Sequence, residues 1–172
     1  MAKTYPITIT YLEMKAPPLQ PVSVPAEQIA IIRAYTPPIH FYRYLYNTIG
    51  AGHIWVNRRR LDDEALAKIV HDPDVRIYVL HYEGCPAGYA ELDFRKTGEA
   101  ELAYFGLMPD YTGRGLGRFF LNQAIHTAWA ENIDRLIVQT CTQDHPAALP
   151  LYQRMGFTPY AQSDDVLEAI DD

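Results

Sequence analysis

The sequence predicts a single mixed α/β (α+β) domain built on one twisted sheet. The chain has 172 residues, of which 48% are hydrophobic and 21% charged, values typical of one soluble globular domain. Strand-like and helix-like segments follow each other in the order β, α, α, three antiparallel-type strands, α, β, α, β. Because neither repeats nor a domain-splitting linker interrupts this order, residues 1–172 are interpreted as one domain.

The first part of the chain is predicted to contain a strand and two helices. Residues 7–14 alternate β-branched and polar residues and predict a strand, and the proline-rich segment 16–25 after it predicts a loop. Residues 39–49 follow two prolines, which favour a helix start, and are apolar or aromatic at most positions. Residues 61–70 carry acids early and then an apolar stripe, so they predict a second, short helix.

Strands dominate the middle of the chain, and strands and helices alternate after it. The pattern predicts strands at 75–84, 85–95 and 99–109, a helix at about 115–131, a strand at 134–141, a helix at 145–156 and a strand beginning at 157. A Glu-Gly turn joins the first two of these strands and predicts a hairpin. Gly156 is expected to cap the last helix, and the acidic tail 163–172 is expected to fray.

Composition excludes several classes of function. The formal net charge of −6 and the pI of about 5.4 argue against a nucleic-acid binder, which needs a basic face; the cluster Arg58–Arg60 is predicted to be a solvated turn. Cys85 and Cys141 lie far apart and make neither a disulfide framework nor a zinc site, so no metal is expected. The amino terminus lacks the apolar core of a signal peptide, and no membrane span is predicted, so we expect a cytoplasmic protein.

One glycine-rich stretch, YTGRGLGRFFL, lies between a predicted strand and a predicted helix. This arrangement favours an anion, because backbone amides and the positive end of a helix dipole meet there. The P-loop of nucleoside triphosphatases is excluded, because Arg118 and Phe119 stand where it needs lysine and serine or threonine. The dinucleotide fingerprint fails as well, since its third glycine would fall on Arg118 or Phe120.

The stretch ELAYFGLMPDYTGRGLGRFFL, followed by a strand and then by ALPLYQRMGF, resembles the GNAT superfamily of acyl-CoA-dependent N-acyltransferases. The family signature Arg/Gln-x-x-Gly-x-Gly/Ala is matched at Gly115–Gly117, and its leucine-tyrosine pair at 151–152 precedes Gly-Phe at 156–157. The resemblance is strong over residues 75–160 and weak over residues 1–70. It implies a central, mostly antiparallel sheet that is splayed at the coenzyme site, with helices on both faces.

The resemblance also implies acetyl-CoA as co-substrate and names the residues that would hold it. The pyrophosphate would be bound by loop amides, with arginine charge nearby, from Thr112, Gly113, Arg114, Gly115, Leu116, Gly117 and Arg118. Thr112 stands where the signature has arginine or glutamine, and is expected to offer its amide and hydroxyl.

Further coenzyme contacts are implied along the strand before the loop and at the start of the last helix. Leu107 and Met108 would bind the pantetheine through their backbone, and the amide of Leu107 would polarise the thioester carbonyl. Gly106 is predicted to be a bulge that redirects the strand. His145 stands where the family often has asparagine, and is a candidate for coenzyme contact.

Acyl transfer to an amine needs a group that accepts the amine proton and one that protonates the leaving thiolate. Glu101 matches the position of a catalytic glutamate in many family members, and alternation predicts that it shares a strand face with Glu99, Ala103 and Phe105. Aromatic neighbours would raise its pKa, as a base requires. Glu91 is the reserve candidate. Tyr152 corresponds to the family's acid.

Three other groups of residues could take part in a site: the cysteine Cys141, the remaining histidines and the aromatic residues of the first helices. Cys141 has no clear partner base and is interpreted as a structural thiol. The histidines other than His145 show no metal-ligand spacing and are interpreted as structural or exposed. The aromatic residues of the first helices line either the acceptor pocket or the core: Phe41, Tyr42, Tyr44, Tyr46 and Trp55.

We therefore interpret the chain as an N-acetyltransferase in which a primary amine attacks acetyl-CoA directly. Glu101 would act as base or water-positioner, and Tyr152 as acid. The acceptor stays open among a small amine, an amino acid, an aminoglycoside-like drug and a protein lysine or amino terminus. Two alternatives remain: a non-catalytic acyl-CoA sensor, and transfer of another acyl group such as succinyl, whose acidic tail Arg58–Arg60 could receive. Family members often dimerise, so a homodimer also stays open.

Overall fold

The computed structural model describes residues 3–19 and 22–170 and shows one seven-stranded sheet with helices on both faces. The strands are β1 (Thr4–Met14), β2 (Ile29–Ala34), β3 (Val75–Tyr82), β4 (Cys85–Asp93), β5 (Glu99–Leu107), β6 (Arg135–Cys141) and β7 (Thr158–Glu168). The α-helices of this part of the chain are α1 (Ile39–Gly50), α2 (Asp63–Val70), α3 (Leu116–Trp129) and α4 (Ala148–Arg154). The mixed α/β class is confirmed.

The sheet has the order β2-β3-β4-β5-β6-β1-β7, and its neighbouring strands are antiparallel except for β5 and β6. The parallel ladder between β5 and β6 comprises three residue pairs, Glu99–Glu101 with Arg135–Ile137. Both strands continue well beyond these pairs, β5 to Leu107 and β6 to Cys141. The two strands therefore part after Glu101, which is the splayed seam that the resemblance implied.

Two strands differ from the sequence prediction. The expectation that the tail frays is wrong for residues 163–168, because they belong to β7, which forms ten residue pairs with β1 from Thr4 with Glu168 to Glu13 with Thr158. The last two residues of the predicted tail lie outside the described residues. Strand β2 was not predicted at all; it is a short edge strand that pairs with β3.

Each face of the sheet carries its own buried cluster. On one face α3 and α4 cover the sheet, with Leu12, Leu92, Phe120, Leu121 and Leu136 almost fully buried. On the other face α1 and α2 cover the β2–β5 half, burying Tyr42, Leu45, Leu66, Ile77 and Tyr89. Removal of this apolar surface from water is the main force that holds the helices on the sheet.

A bulge in β5 decides which way its side chains point. The register with β4 shifts at Ala103, since Leu102 pairs with Leu92 whereas Tyr104 pairs with Glu91. Glu101 therefore shares a face with Tyr104, while Phe105 lies on the opposite face with its ring 5.4 Å from Phe120. This corrects the prediction that Glu101 and Phe105 lie on one face.

Gly106 is not the bulge that the sequence predicted, and its role is a different one. It pairs regularly with Tyr89, and an added Cβ would collide with Cγ2 of Ile49. Glycine at this position therefore lets α1 approach β5 closely.

Candidate active site

A single cleft of about 670 Å³ follows the seam between β5 and β6. One end is bordered by Thr112, Gly113 and Gly117 of the glycine loop, and the other end by aromatic residues that include Trp55 and Tyr104. The cleft exists because β5 and β6 part after their three ladder pairs, so that no backbone fills the seam. A long ligand could thus reach from an anion-binding loop to an apolar chamber.

The glycine loop places a bare helix start at its end of the cleft. Gly113 and Gly115 have φ values of 75° and 77°, a left-handed conformation that glycine adopts without strain. Helix α3 begins directly after, at Leu116, and no side-chain hydrogen bond caps it within the described part of the chain. Because the first amides of a helix have no intrahelical partner, they remain for an anion.

Two arginines add positive charge to the loop, whereas Thr112 directs its hydroxyl and amide to Pro109. The Arg114 guanidinium lies 5.3 Å from the ring centre of Tyr111 and 5.4 Å from that of Tyr82, and the side chain of Arg118 is exposed. The Thr112 hydroxyl donates to the carbonyl of Pro109 at 3.0 Å, and its amide points to the same oxygen at 3.4 Å. Both donors that were expected to meet the ligand are therefore already engaged.

The two residues before the loop differ in what their backbone can offer. Met108 donates its amide to the carbonyl of Ala87 at 2.8 Å, so this amide is already engaged inside the sheet. Hydrogen-bonded pairs alternate along an antiparallel ladder, so Leu107, opposite Gly88, turns its amide away from β4. That direction leads into the seam, where the family resemblance implies the thioester carbonyl.

Tyr152 lies in α4 and borders the middle of the cleft. The helix ends in a Schellman motif, in which Phe157 donates to the carbonyl of Tyr152 at 3.0 Å and Gly156, at φ 107°, donates to Gln153 at 3.1 Å. The predicted cap at Gly156 is therefore confirmed. The predicted start is not: the helix begins at Ala148 rather than at residue 145.

The hydroxyl of Tyr152 is buried and protonated. The side chain is 6% exposed, and no other described residue hydrogen-bonds its hydroxyl. Burial raises the pKa of Tyr152, and the charge of Asp144 adds to this shift. The group therefore stays protonated through neutral pH.

Asp144 organises the turn between β6 and α4. Its Oδ2 accepts from the Thr140 hydroxyl at 2.7 Å and from the Cys141 amide at 2.9 Å, and its Oδ1 accepts from Nε1 of Trp55 at 3.3 Å. The neighbouring His145 accepts from the amide of Ala147 at Nδ1, at 3.1 Å. His145 is thereby fixed at the start of α4, exposed on the rim of the cleft.

His53, interpreted from the sequence as structural or exposed, lies in the cleft. Its ring centre is 5.7 Å from that of His145. Burial lowers its pKa, and the neighbouring His145 acts in the same direction, against the opposing charge of Asp144. The imidazole is therefore mostly neutral at pH 7 and able to accept a proton. No local pattern signals this, because the fold alone brings residue 53 beside residue 145.

Glu101 lies outside the cleft. It borders a separate depression of about 350 Å³ together with Asp93, Arg95, Lys96 and Glu99. Burial raises the pKa of Glu101, and repulsion from Asp93 raises it further. A raised pKa was predicted, although for the aromatic surroundings rather than for burial among carboxylates.

Glu91 is not available as a reserve base. Its side chain is 0% exposed, with Oε1 accepting from Arg58 at 2.6 Å and Oε2 accepting from the Tyr42 hydroxyl at 2.5 Å. The prediction of a solvated turn at Arg58–Arg60 is therefore wrong for Arg58, which is mostly buried in this ion pair. Arg60 donates to the carbonyl of Glu168 in β7 at 2.6 Å.

Cys141 also borders the cleft but shows no sign of nucleophilic activation. Burial raises the pKa of its thiol, and the charge of Asp144 raises it further. A thiol that stays protonated is a poor nucleophile.

Among the described residues no group of three or more histidine, cysteine or acidic side chains has metal-binding geometry, and none of their helices is long and apolar enough to span a membrane.

Comparison with known proteins identifies the family. The model of the acetyltransferase (GNAT) family matches residues 35–157, so the chain belongs to this family. No curated protein sequence matches the chain. The fold is similar to that of an aminoglycoside acetyltransferase from an uncultured soil metagenomic sample, at 16% identity and a TM-score of 0.60, over 74% of this chain and 87% of that one.

Two other solved structures are longer than this chain. A putative acetyltransferase of the GNAT family from Novosphingobium aromaticivorans has 16% identity and a TM-score of 0.62, over 99% of this chain and 66% of that one. A GCN5-related N-acetyltransferase from Kribbella flavida has 17% identity and a TM-score of 0.63, over 96% of this chain and 59% of that one. The chain thus spans two thirds or less of these proteins, and at such identities the likeness concerns the fold.

Proposed function

We propose that this protein transfers an acetyl group from acetyl-CoA to a primary amine. The observation that carries the proposal is the continuity of one cleft, from the uncapped start of α3 to the aromatic chamber at Trp55 and Tyr104. Acetyl-CoA carries a pyrophosphate and, at the far end of its pantetheine arm, the thioester, so it needs an anion site joined to a narrow seam. The resemblance to aminoglycoside acetyltransferases supports an amine as acceptor in general terms.

In this proposal the backbone holds the coenzyme. The amides of Gly113 to Gly117 bind the pyrophosphate, and Arg114 and Arg118 supply countercharge. The pantetheine lies in the parted seam, and the amide of Leu107 donates to the thioester oxygen as negative charge develops there. His145 lies at the rim of the same cleft, where it contacts the coenzyme.

The reaction then needs two proton transfers. The nitrogen lone pair attacks the carbonyl carbon, the carbon–sulfur bond breaks, and the thiolate leaves with the bonding electrons. Tyr152 protonates that thiolate, since its hydroxyl has no other partner among the described residues. His53 accepts the proton of the amine directly because it lines the cleft as a neutral imidazole, whereas Glu101 acts through water.

A thiol-release assay with acetyl-CoA and a panel of primary amines tests the proposal, with calorimetric titration of coenzyme A alongside. Coenzyme binding together with amine-dependent thiol release is the expected result. Binding without release for any amine or lysine peptide would favour the sensor alternative. Release from succinyl-CoA but not from acetyl-CoA would favour the other acyl group. Absence of coenzyme binding would refute the proposal as a whole.

A further inference from the structure

The end of the cleft opposite the glycine loop is a wall of aromatic rings. Tyr46, Trp55 and Tyr104 pack against one another, with ring centres 5.0 to 5.4 Å apart. All three border the cleft. Such rings offer a large, rigid apolar surface and favour offset or edge-to-face packing with another ring.

Aliphatic side chains complete this chamber from the other half of the sheet. Ile7 and Ile9 of β1 and Leu167 of β7 border the same cleft. They reach it because β1 lies between β6 and β7. Its odd-numbered residues face the same side of the sheet as α1 and α2, in the half that these two helices do not cover. The placement of the amino-terminal strand therefore makes the chamber apolar on two sides.

The described residues that border the cleft offer no free carboxylate to a cationic acceptor. Among the described residues Asp144 is the only acidic side chain that borders it, and both its oxygens already accept hydrogen bonds from Thr140, Cys141 and Trp55. A polycationic amine needs several carboxylates to compensate for its lost hydration. The described part of the chain therefore does not supply the chamber with the charges that an aminoglycoside would require.

A positive charge also lies against the aromatic wall. The Arg58 guanidinium lies 5.3 Å from the ring centre of Tyr104, and its own partner, Glu91, is fully buried. A cation–π contact between a ligand and Tyr104 would have to share the ring with Arg58. This arrangement favours a neutral ring or alkyl group over a second cation.

From these features we infer that the acceptor is a primary amine with a single amino group on an aromatic or branched apolar body, such as an arylalkylamine. The inference rests on the proposed function and narrows its acceptor. Apolar walls also favour the uncharged form of the amine, which is the form that attacks the thioester. The amino group would point toward His53 and the seam, and the apolar body toward the aromatic wall.

The test compares kcat/KM at saturating acetyl-CoA for 2-phenylethylamine, kanamycin and a lysine peptide. We expect 2-phenylethylamine to exceed both others by roughly 100-fold, the discrimination that an apolar pocket can give. Equal or better turnover of kanamycin or the peptide would overturn the inference while leaving the proposed function intact.

A binding measurement keeps the inference testable if no amine turns over. Quenching of Trp55 fluorescence by 2-phenylethylamine, absent in Trp55→Phe, would support the acceptor class even then. A lack of quenching in the unchanged protein, with no turnover, would overturn it.

Two variants at one position separate charge from apolar surface. Ile9→Asp and Ile9→Asn remove the same side chain, but only the first adds a carboxylate to the chamber. We expect Ile9→Asp to shift the kcat/KM ratio at least tenfold further toward kanamycin than Ile9→Asn does, since only its charge can pair with a cation. Identical ratios in the two variants would overturn the inference, and urea unfolding of both verifies that they are folded.

Discussion

The indole of Trp55 donates from Nε1 to Oδ1 of Asp144 at 3.3 Å, and this bond joins the two sides of the cleft. Trp55 follows α1 and belongs to the aromatic wall, whereas Asp144 belongs to the turn that leads into α4 and Tyr152. One carboxylate therefore links the proposed acceptor chamber to the turn that carries the proposed coenzyme contact at His145. A change at Asp144 should act on both.

The first prediction concerns stability at this link. Asp144→Asn is expected to lower the free energy of unfolding by about 1–3 kcal/mol, because the amide nitrogen that replaces one carboxylate oxygen donates and cannot accept, so at least one of the present hydrogen bonds is lost. Urea unfolding followed by fluorescence measures the change. Thr140→Val, which removes one donor and keeps the carboxylate, should cost less. Equal stability of Asp144→Asn and the unchanged protein would contradict the assigned role.

The second prediction separates His53 from Glu101 as proton acceptor. His53→Gln is expected to lower kcat by about 100-fold, within the range for loss of a general base, with little change in coenzyme affinity. Glu101→Gln should have a smaller effect, because Glu101 lies outside the cleft. Single-turnover measurements alongside calorimetric titration distinguish chemistry from binding. A larger loss in Glu101→Gln than in His53→Gln would restore the assignment made from the sequence.

The pH dependence gives a third prediction for the same group. Burial lowers the pKa of His53 below its ordinary value of 6.5, and only the neutral imidazole accepts a proton. The value of kcat/KM, expressed per neutral amine, should therefore stay level near pH 7 and fall only as pH drops through that lowered pKa. In His53→Gln this acidic limb should vanish. A limb that persists unchanged would assign the titration to another group.

The sequence alone predicts the strands and helices with strong local periodicity, but not the strands that depend on their pairing partners. The central strands and the helix after the glycine loop carry strong local periodicity, and the structure has them close to the predicted bounds. Residues 29–34 were missed because a short edge strand needs its partner, β3, to be recognised. The acidic tail was misjudged for the same reason, since pairing with β1 outweighs the weak strand propensity of Asp164 and Asp165.

The candidate site likewise contains residues that a local motif predicts and residues that only the tertiary structure brings together. The glycine loop and Tyr152 each belong to a short local motif, so the sequence could place them on the cleft. The orientation of Glu101 depends on one inserted residue, Ala103, and alternation cannot reveal a bulge of that kind. His53 and Asp144 meet only through the tertiary packing of the segment after α1 on the turn after β6, which leaves no mark in either local pattern.

The fourth prediction tests the glycine loop with two matched substitutions. Gly115 and Gly84 have similar left-handed φ values, 77° and 87°, and an added Cβ meets nothing within 4 Å at either site. Asparagine tolerates this conformation, so Gly115→Asn and Gly84→Asn should cost comparable stability. We expect only Gly115→Asn to weaken coenzyme A binding, by at least about tenfold in calorimetric titration, because its side chain enters the space assigned to the pyrophosphate. Equal affinity in the two variants would contradict the loop assignment.

The fifth prediction concerns the buried ion pair of Glu91 and Arg58, which lies behind the aromatic wall. Glu91→Gln is expected to lower the free energy of unfolding by about 3–5 kcal/mol, because it leaves the buried Arg58 without a counter-charge. Urea unfolding measures the loss, and the double variant Glu91→Leu with Arg58→Met should recover most of it. Glu131→Gln is the matched control, since it breaks the more exposed pair with Arg76, worth at most about 1 kcal/mol. If Glu91→Gln proved as mild as this control, the wall would not depend on the ion pair.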